Sequence, residues 1–207
     1  MKIKEKVMHA LAVLCVIMLI AQAMLFLFSW LVAAVKTDAS VHSLLSNEGI
    51  RWFFGSFVDN ISSPLLIWII FVAMAAGVIC DVHFFRDVKN LSVLPYRSKF
   101  ALQFVSIELI SFVVGLIFTA LVPHAPLLSV TGELFPSSFS RSFIPMLAFI
   151  VIVVGVTYGV LSGKMKSILD IFKSVGHGIG RAAPLILVYI IATELYFSIL
   201  YVFSVDF

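Results

Sequence analysis

Apolar residues in this chain come in long runs rather than in alternation. Five runs, near 8–35, 63–80, 100–122, 143–162 and 183–203, are each long enough to cross about 30 Å of hydrocarbon at roughly 1.5 Å per helical residue. They predict five transmembrane helices. Two stretches between the runs have a different pattern. In 45–60, Leu45, Ile50, Phe53, Phe54 and Phe57 fall near one side of a helix, with Glu48, Arg51 and Asp59 elsewhere. In 165–177, Met165, Ile168, Ile171 and Phe172 oppose Lys166, Asp170 and Lys173. Such segments are predicted to lie at the membrane interface or against the bundle rather than to span. Asn47 followed by Glu48 predicts a helix start, with a side-chain cap and then an acid at the positive end of the dipole. Residues 123–142 hold Pro123, Pro126, Gly132 and Pro136 and predict a turn-rich loop.

Two stretches are built alike, FFGSFVDNISSPLLIWII and FKSVGHGIGRAAPLILVYII. Each predicts an amphipathic segment, a break, a proline (Pro64 or Pro184) and then an apolar run. Proline is well placed in the first turn of a helix, where its missing N–H has no partner to lose. With five spans, such a repeat relates the first two to the last two by inversion, with the third as connector. Short apolar stretches also come to agree by composition alone.

Composition sharpens the class. Of 207 residues, 62% are hydrophobic and mean hydropathy is +1.15. A soluble domain of this size cannot hide that much apolar surface, so the bilayer is the solvent. The net charge of +3 does not argue for nucleic acid. Cys15 and Cys80 lack ligand-like spacing and read as buried small residues. There is no CxxC, P-loop or HExxH, so no metal, cofactor or enzymatic motif is expected. Lys2, Lys4 and Lys6 precede an apolar stretch, as in a signal peptide, but that stretch far exceeds the roughly 7–15 residues of a signal core. A retained helix is the reading.

Basic residues are unevenly shared. Lys2, Lys4 and Lys6 precede the first run; Arg86, Lys89, Arg97 and Lys99 separate the second and third; Lys164, Lys166, Lys173 and Arg181 separate the fourth and fifth. Only Lys36, Arg51 and Arg141 fall on the other side. The positive-inside rule predicts a cytoplasmic N-terminus and an external C-terminus.

Two acids interrupt apolar runs. Glu194 lies in mid-span and Glu108 nearer the cytoplasmic end, within reach of Lys99 or water. An ionised carboxylate there is costly, so each is protonated, paired or facing a cavity. One reading is a substrate or ion-coupling site; the other is a neutral carboxyl bonded to a neighbouring helix. Gly155, Gly159 and Gly163 form a stripe at spacing four that favours close helix packing, within the chain or across a homodimer. Tyr158, Tyr189, Tyr196 and Tyr201 mark interfaces or helix contacts. His177, in GHGIG, reads as part of a flexible helix connection, and His83, beside Asp81 and Asp87, as a loop residue.

Three segments resemble one family. SVHSLLSNEGIRWFFGSFVDN is similar to the region after the first helix of the p-aminobenzoyl-glutamate transporter (AbgT-type) family. HAPLLSVTGELFPSSFSRSFIPMLAFI resembles its external loop and following helix. VGVTYGVLSGKMKSILDIFKSVGHGIGRAAPLILVYIIATELYF resembles the next helix end, a YG-x-x-x-GK turn and the helix beyond. Together they cover about half the chain, in family order. Departures are informative too. Members of the family are about twice as long and carry re-entrant hairpins where substrate and coupling ion are held. Here a short basic loop after Asp81 leads straight to a helix resembling a later one, and the chain ends at Phe207 before a second hairpin block. The resemblance therefore implies an all-α membrane protein like the family's five-helix inner core, in a bacterial inner membrane, as a homodimer or paired with a full-length relative. Its function is expected to be a scaffold without independent transport; the alternative is a carrier of p-aminobenzoyl-glutamate or a related amphipathic acid, driven by protons or sodium. Glu194 stands where the family tends to have an amide.

Overall fold

The computed structural model describes residues 2–35, 41–120 and 138–204. Regular structure among them is entirely α-helical, in the order α1 (Lys2–Val35), α2 (Asn47–Gly55), α3 (Phe57–Ile61), α4 (Pro64–Asp81), α5 (Phe84–Lys89), α6 (Tyr96–Ala120), α7 (Ser138–Ser162) and α8 (Ile168–Val202). Five of these, α1, α4, α6, α7 and α8, are long and apolar enough to cross a membrane. The protein is thus an all-helical, multi-pass membrane protein. Most of the loop expected at 123–142 lies outside the described residues.

The amphipathic stretches fold differently from expectation. Residues 45–60 form two short helices, α2 and α3, rather than one. Ser46, not Asn47, caps α2: its hydroxyl accepts the Gly49 N–H at 3.0 Å, and Glu48 occupies the first turn. Residues 168–177 are not a separate segment but the first part of α8, a helix of 35 residues. Ser167 and Asp170 make a capping box there. Asp170 N–H donates to the Ser167 hydroxyl at 3.2 Å, and Ser167 N–H donates to the Asp170 carboxylate at 3.0 Å.

The two prolines also part company. Pro64 opens α4 after a break at Ser62 and Ser63, as expected. Pro184 lies inside α8, with no break before it. Pro145 is likewise inside α7. A helix interrupted in hydrocarbon exposes several backbone groups with no water to satisfy them, so continuing past a proline costs less than breaking. The secondary structure around the two prolines therefore does not repeat.

The chain forms two compact units. One comprises Met1–Leu66 and Ala183–Phe207, the other Ile67–Ala182. In the first, the C-terminal end of α8 is tied to the segment before α2. His42 N–H donates to the Val202 carbonyl at 3.0 Å, and Leu44 N–H to the buried Ser29 hydroxyl at 3.1 Å. Trp52 stacks on Tyr201, with ring centroids 4.3 Å apart. Tyr189 closes the break before Pro64 by donating to the Ile61 carbonyl at 2.9 Å and meeting the Ser63 hydroxyl at 2.6 Å. A helix-end carbonyl that would be costly in hydrocarbon is satisfied in this way. Along α1 most apolar side chains remain at the surface, where they suit lipid.

The second unit is built around Val78, Val82, Ala101, Val105, Ile150, Val154, Tyr158 and Met165. Here α6 packs along α7. Small residues set the spacing. A Cβ on Gly155 would lie 2.7 Å from Val78, and one on Gly159 would lie 2.7 Å from Met165. Within this chain, the stripe's Gly155 and Gly159 thus lie against Val78 of α4 and Met165 of the turn before α8. Gly163, at φ +81°, ends α7 in the left-handed region that glycine adopts most easily. The tightest approach involves glycines outside the stripe: Gly178 of α8 meets Ala73 and Gly77 of α4 backbone to backbone. Cys15 is buried as expected, but Cys80 is exposed.

Candidate functional site

Glu194 sits on α8 in the first unit, with only 6% of its surface exposed. Neither carboxylate oxygen receives a hydrogen bond. Asn60, from α3, faces it and is itself 8% exposed, yet its Nδ2 makes no hydrogen bond of ordinary geometry. One turn further along α8, the wholly buried Ser198 accepts a hydrogen bond from Gln22 Nε2 of α1 at 2.8 Å. The other end of that amide, Gln22 Oε1, is buried without a partner. α1, α3 and α8 thus bring four neutral or acidic polar side chains into one apolar unit.

Glu108 has different surroundings. It belongs to the second unit and accepts the Thr157 hydroxyl of α7 at 3.1 Å, while its second oxygen is buried and unpartnered. Its recorded contact is with that neighbouring helix rather than with Lys99. The two acids do not share a unit.

A second polar cluster in the Ile67–Ala182 unit was not anticipated as such. Asp87 of α5 accepts from the Lys164 ammonium and from the Tyr158 hydroxyl. Burial alone would push its carboxyl up; the hydrogen bonds from Lys164 and Tyr158 outweigh that and hold it below the usual carboxylate range. Lys164 also donates to the Val82 carbonyl just past the end of α4, and Arg97 Nε donates to Leu161 O near the end of α7 at 2.8 Å. Residues that supply the positive-inside signal therefore also cap helix C-termini, where the dipole favours cations. Asp81 holds two groups of α8, His177 at 3.1 Å and Arg181 at 3.3 Å. His177 is accordingly a helical residue with a partner, not part of a flexible connection. His83 starts α5 from the left-handed region at φ 54°, its ring contacting Asp81 O at 3.1 Å.

Among the described residues, one cavity of about 450 Å³ lies in the first unit and another of about 280 Å³ in the second. The first is lined by apolar side chains such as Met8, Leu11 and Leu187; the second is apolar apart from Ser106. Neither offers a charged group to an anionic substrate. Among the described residues, no cluster of three or more His, Cys, Asp or Glu side chains is arranged to hold a metal.

Sequence reading found Glu194 but missed its partners. Gln22 is the one amide within the first apolar run, and Ser198 follows Glu194 at helical spacing, so both signals were present. Asn60 lies in the short α3, and no local pattern marked it.

Comparison with known proteins gives one match. The AbgT transporter family matches residues 86–200, more than half of the chain. That range takes in most of the loop and the two C-terminal segments noted above, from α5 into α8. No curated protein and no solved structure matches the chain significantly. The extent of the family match settles the matter of kinship: this membrane chain belongs to the AbgT transporter family.

Proposed function

We propose that the chain is a scaffold-forming member of the AbgT family that does not transport on its own. The observation that carries this reading is the direct passage from α4 to α6. Residues 82–95 hold only a short helix and turns, leaving no room for a membrane re-entrant hairpin. Midplane binding sites in secondary transporters are made by discontinuous helices, whose free backbone ends coordinate ions and anions. Here α4, α6, α7 and α8 run without a central break.

In this reading the protein lies in a bacterial inner membrane with its N-terminus in the cytoplasm, as its basic residues favour. It acts by assembling with a second copy or with a full-length relative. Photobleaching step counts in native-lipid nanodiscs, with and without a co-expressed full-length AbgT protein, test this. Assemblies of two or more chains are expected; monomers under both conditions would contradict it.

One observation favours a second reading. The two unpartnered oxygens of Glu194 suit a coupling or substrate contact, in a carrier of p-aminobenzoyl-glutamate or a related aromatic acid driven by protons or sodium. Under that reading Glu194→Gln abolishes gradient-dependent uptake, whereas a scaffold has no uptake to lose.

A further inference from the structure

The cavity of about 280 Å³ in the Ile67–Ala182 unit lies between α4, α5, α6 and α7. Ile79, Val88, Leu102 and Val154 form part of its wall. Its one polar side chain, Ser106, donates to the Leu102 carbonyl of its own helix at 2.9 Å. Phe85, Val88 and Leu109 line the cavity and yet remain exposed, so it is a groove open at the surface and not a sealed void. α6 and α7 are both long and apolar enough to span. A groove between such helices opens onto hydrocarbon, which suits its lining.

Charge lies just beyond that wall. Lys99 precedes Leu102 by three residues on α6, and Lys89 follows Phe85 by four on α5, so each stands one turn from a lining residue on the same side of its helix. Both lysines are exposed, and they bracket the turns at 90–95 that join α5 to α6. Among the described residues, neither enters an ion pair. The described carboxylates of this unit already have partners. Asp87 accepts from Lys164 and Tyr158, Asp81 holds His177 and Arg181, Asp170 accepts the Lys166 and Ser167 N–H groups, and Glu108 accepts the Thr157 hydroxyl. Lys99 gains nothing from its own helix either, because a cation near a helix start opposes the dipole. A lysine stem can lie along apolar surface while its ammonium reaches the polar headgroup layer.

We propose that this groove holds an acyl chain of one anionic glycerophospholipid, with Lys89 and Lys99 at its mouth taking the phosphate. Charge and shape together select the occupant. The lining takes hydrocarbon, the two unpaired ammonium groups take an anion, and the bilayer supplies a molecule that joins the two. The headgroup of phosphatidylglycerol leaves its phosphate charge to the lysines, whereas in phosphatidylcholine a fixed cation offsets it. The site rests on neither reading of transport, because occupancy requires no flux.

Native mass spectrometry of the full chain tests it, after mild detergent extraction from nanodiscs of equal parts phosphatidylglycerol and phosphatidylcholine with identical acyl chains. The native chain is expected to retain one phosphatidylglycerol in preference to phosphatidylcholine. Each lysine near a membrane surface contributes about fivefold to attraction for anionic lipid, so replacing both Lys89 and Lys99 with Gln should cut the preference by about twenty-fivefold. The same change at Lys166 and Lys173, exposed lysines outside the groove, should leave it intact. Ser106→Trp fills the groove from an exposed position while keeping both charges, and should abolish retention of the lipid. No headgroup preference, an equal loss from the two lysine pairs, or retention unchanged in Ser106→Trp overturns the site. Displacement of the lipid by an equal concentration of palmitate overturns the choice of a phospholipid as occupant. Should Ser106→Trp fail to fold, the two lysine pairs alone decide, since all four positions are exposed.

Discussion

Three glycines of α8, Gly176, Gly178 and Gly180, provide a test of the packing with its own controls. A Cβ built on Gly178 would sit 1.9 Å from the Ala73 carbonyl oxygen, 2.7 Å from its carbon and 3.1 Å from Gly77 Cα. All three are backbone atoms, so no side-chain rotation relieves the clash. Restoring an ordinary contact of 3.4 Å to that oxygen means parting the two backbones by about 1.5 Å. Overpacking of this kind costs about 1–3 kcal/mol, and a backbone clash belongs at the upper end. Alanine gives back up to about 1 kcal/mol of helix propensity over glycine. The expected net loss for Gly178→Ala is about 2 kcal/mol, or about thirtyfold in the ratio of folded to unfolded protein. Gly176 and Gly180 have open space where a Cβ would go. Gly176→Ala and Gly180→Ala should therefore stabilise the protein by up to about 1 kcal/mol. Reversible denaturation in mixed micelles measures all three. Equal effects at the three positions would refute the close crossing of α4 and α8.

Other contacts make narrower predictions. The Asp87 carboxyl is held below its ordinary range in the folded state, so its contribution is present above that range and is lost as pH falls through the lowered value. Asp87→Asn should destabilise the protein at neutral pH and flatten stability between about pH 5 and acid, read as unfolding midpoint against pH. Replacing Ser46 with Ala removes the cap on α2 and should cost about 1 kcal/mol in the same denaturation assay. Asp81→Asn loosens its half-exposed ion pair with Arg181 and its hydrogen-bond contact with His177, and a loss below about 1 kcal/mol that shrinks in high salt is expected.

The five spans were legible because a run of some 20 apolar residues has few other solutions. The start of α4 at Pro64 was legible for a similar reason, since a proline behind two serines stops and restarts a helix. Pro184 misled because the same local signal has a different outcome when the alternative is an open helix end in hydrocarbon. The glycine stripe at 155, 159 and 163 announced close packing but not its partners, which come from α4, α6 and the turn before α8. Gly77 and Gly178 approach more closely still, yet Gly77 is the one glycine of α4, and Gly178 is spaced by two from Gly176 and Gly180, which is not a helical period. Glu194 was conspicuous as an acid in an apolar run. Its companions were not, because Gln22 and Ser198 are 176 positions apart in the chain and only the fold joins them. Asp87 and Lys164 looked like two unrelated loop charges; their direct pairing, with Tyr158 donating to the same carboxylate, depends on where α5 and the end of α7 come to rest.

The claim that this AbgT-family chain is a scaffold is tested most directly by flux. Purified protein alone, folded and reconstituted in liposomes, is offered labelled p-aminobenzoyl-glutamate with and without inward proton and sodium gradients. The scaffold reading predicts no uptake above that of protein-free liposomes under any gradient. Saturable, gradient-driven uptake that Glu194→Gln abolishes would contradict it and show that five unbroken helices suffice for transport.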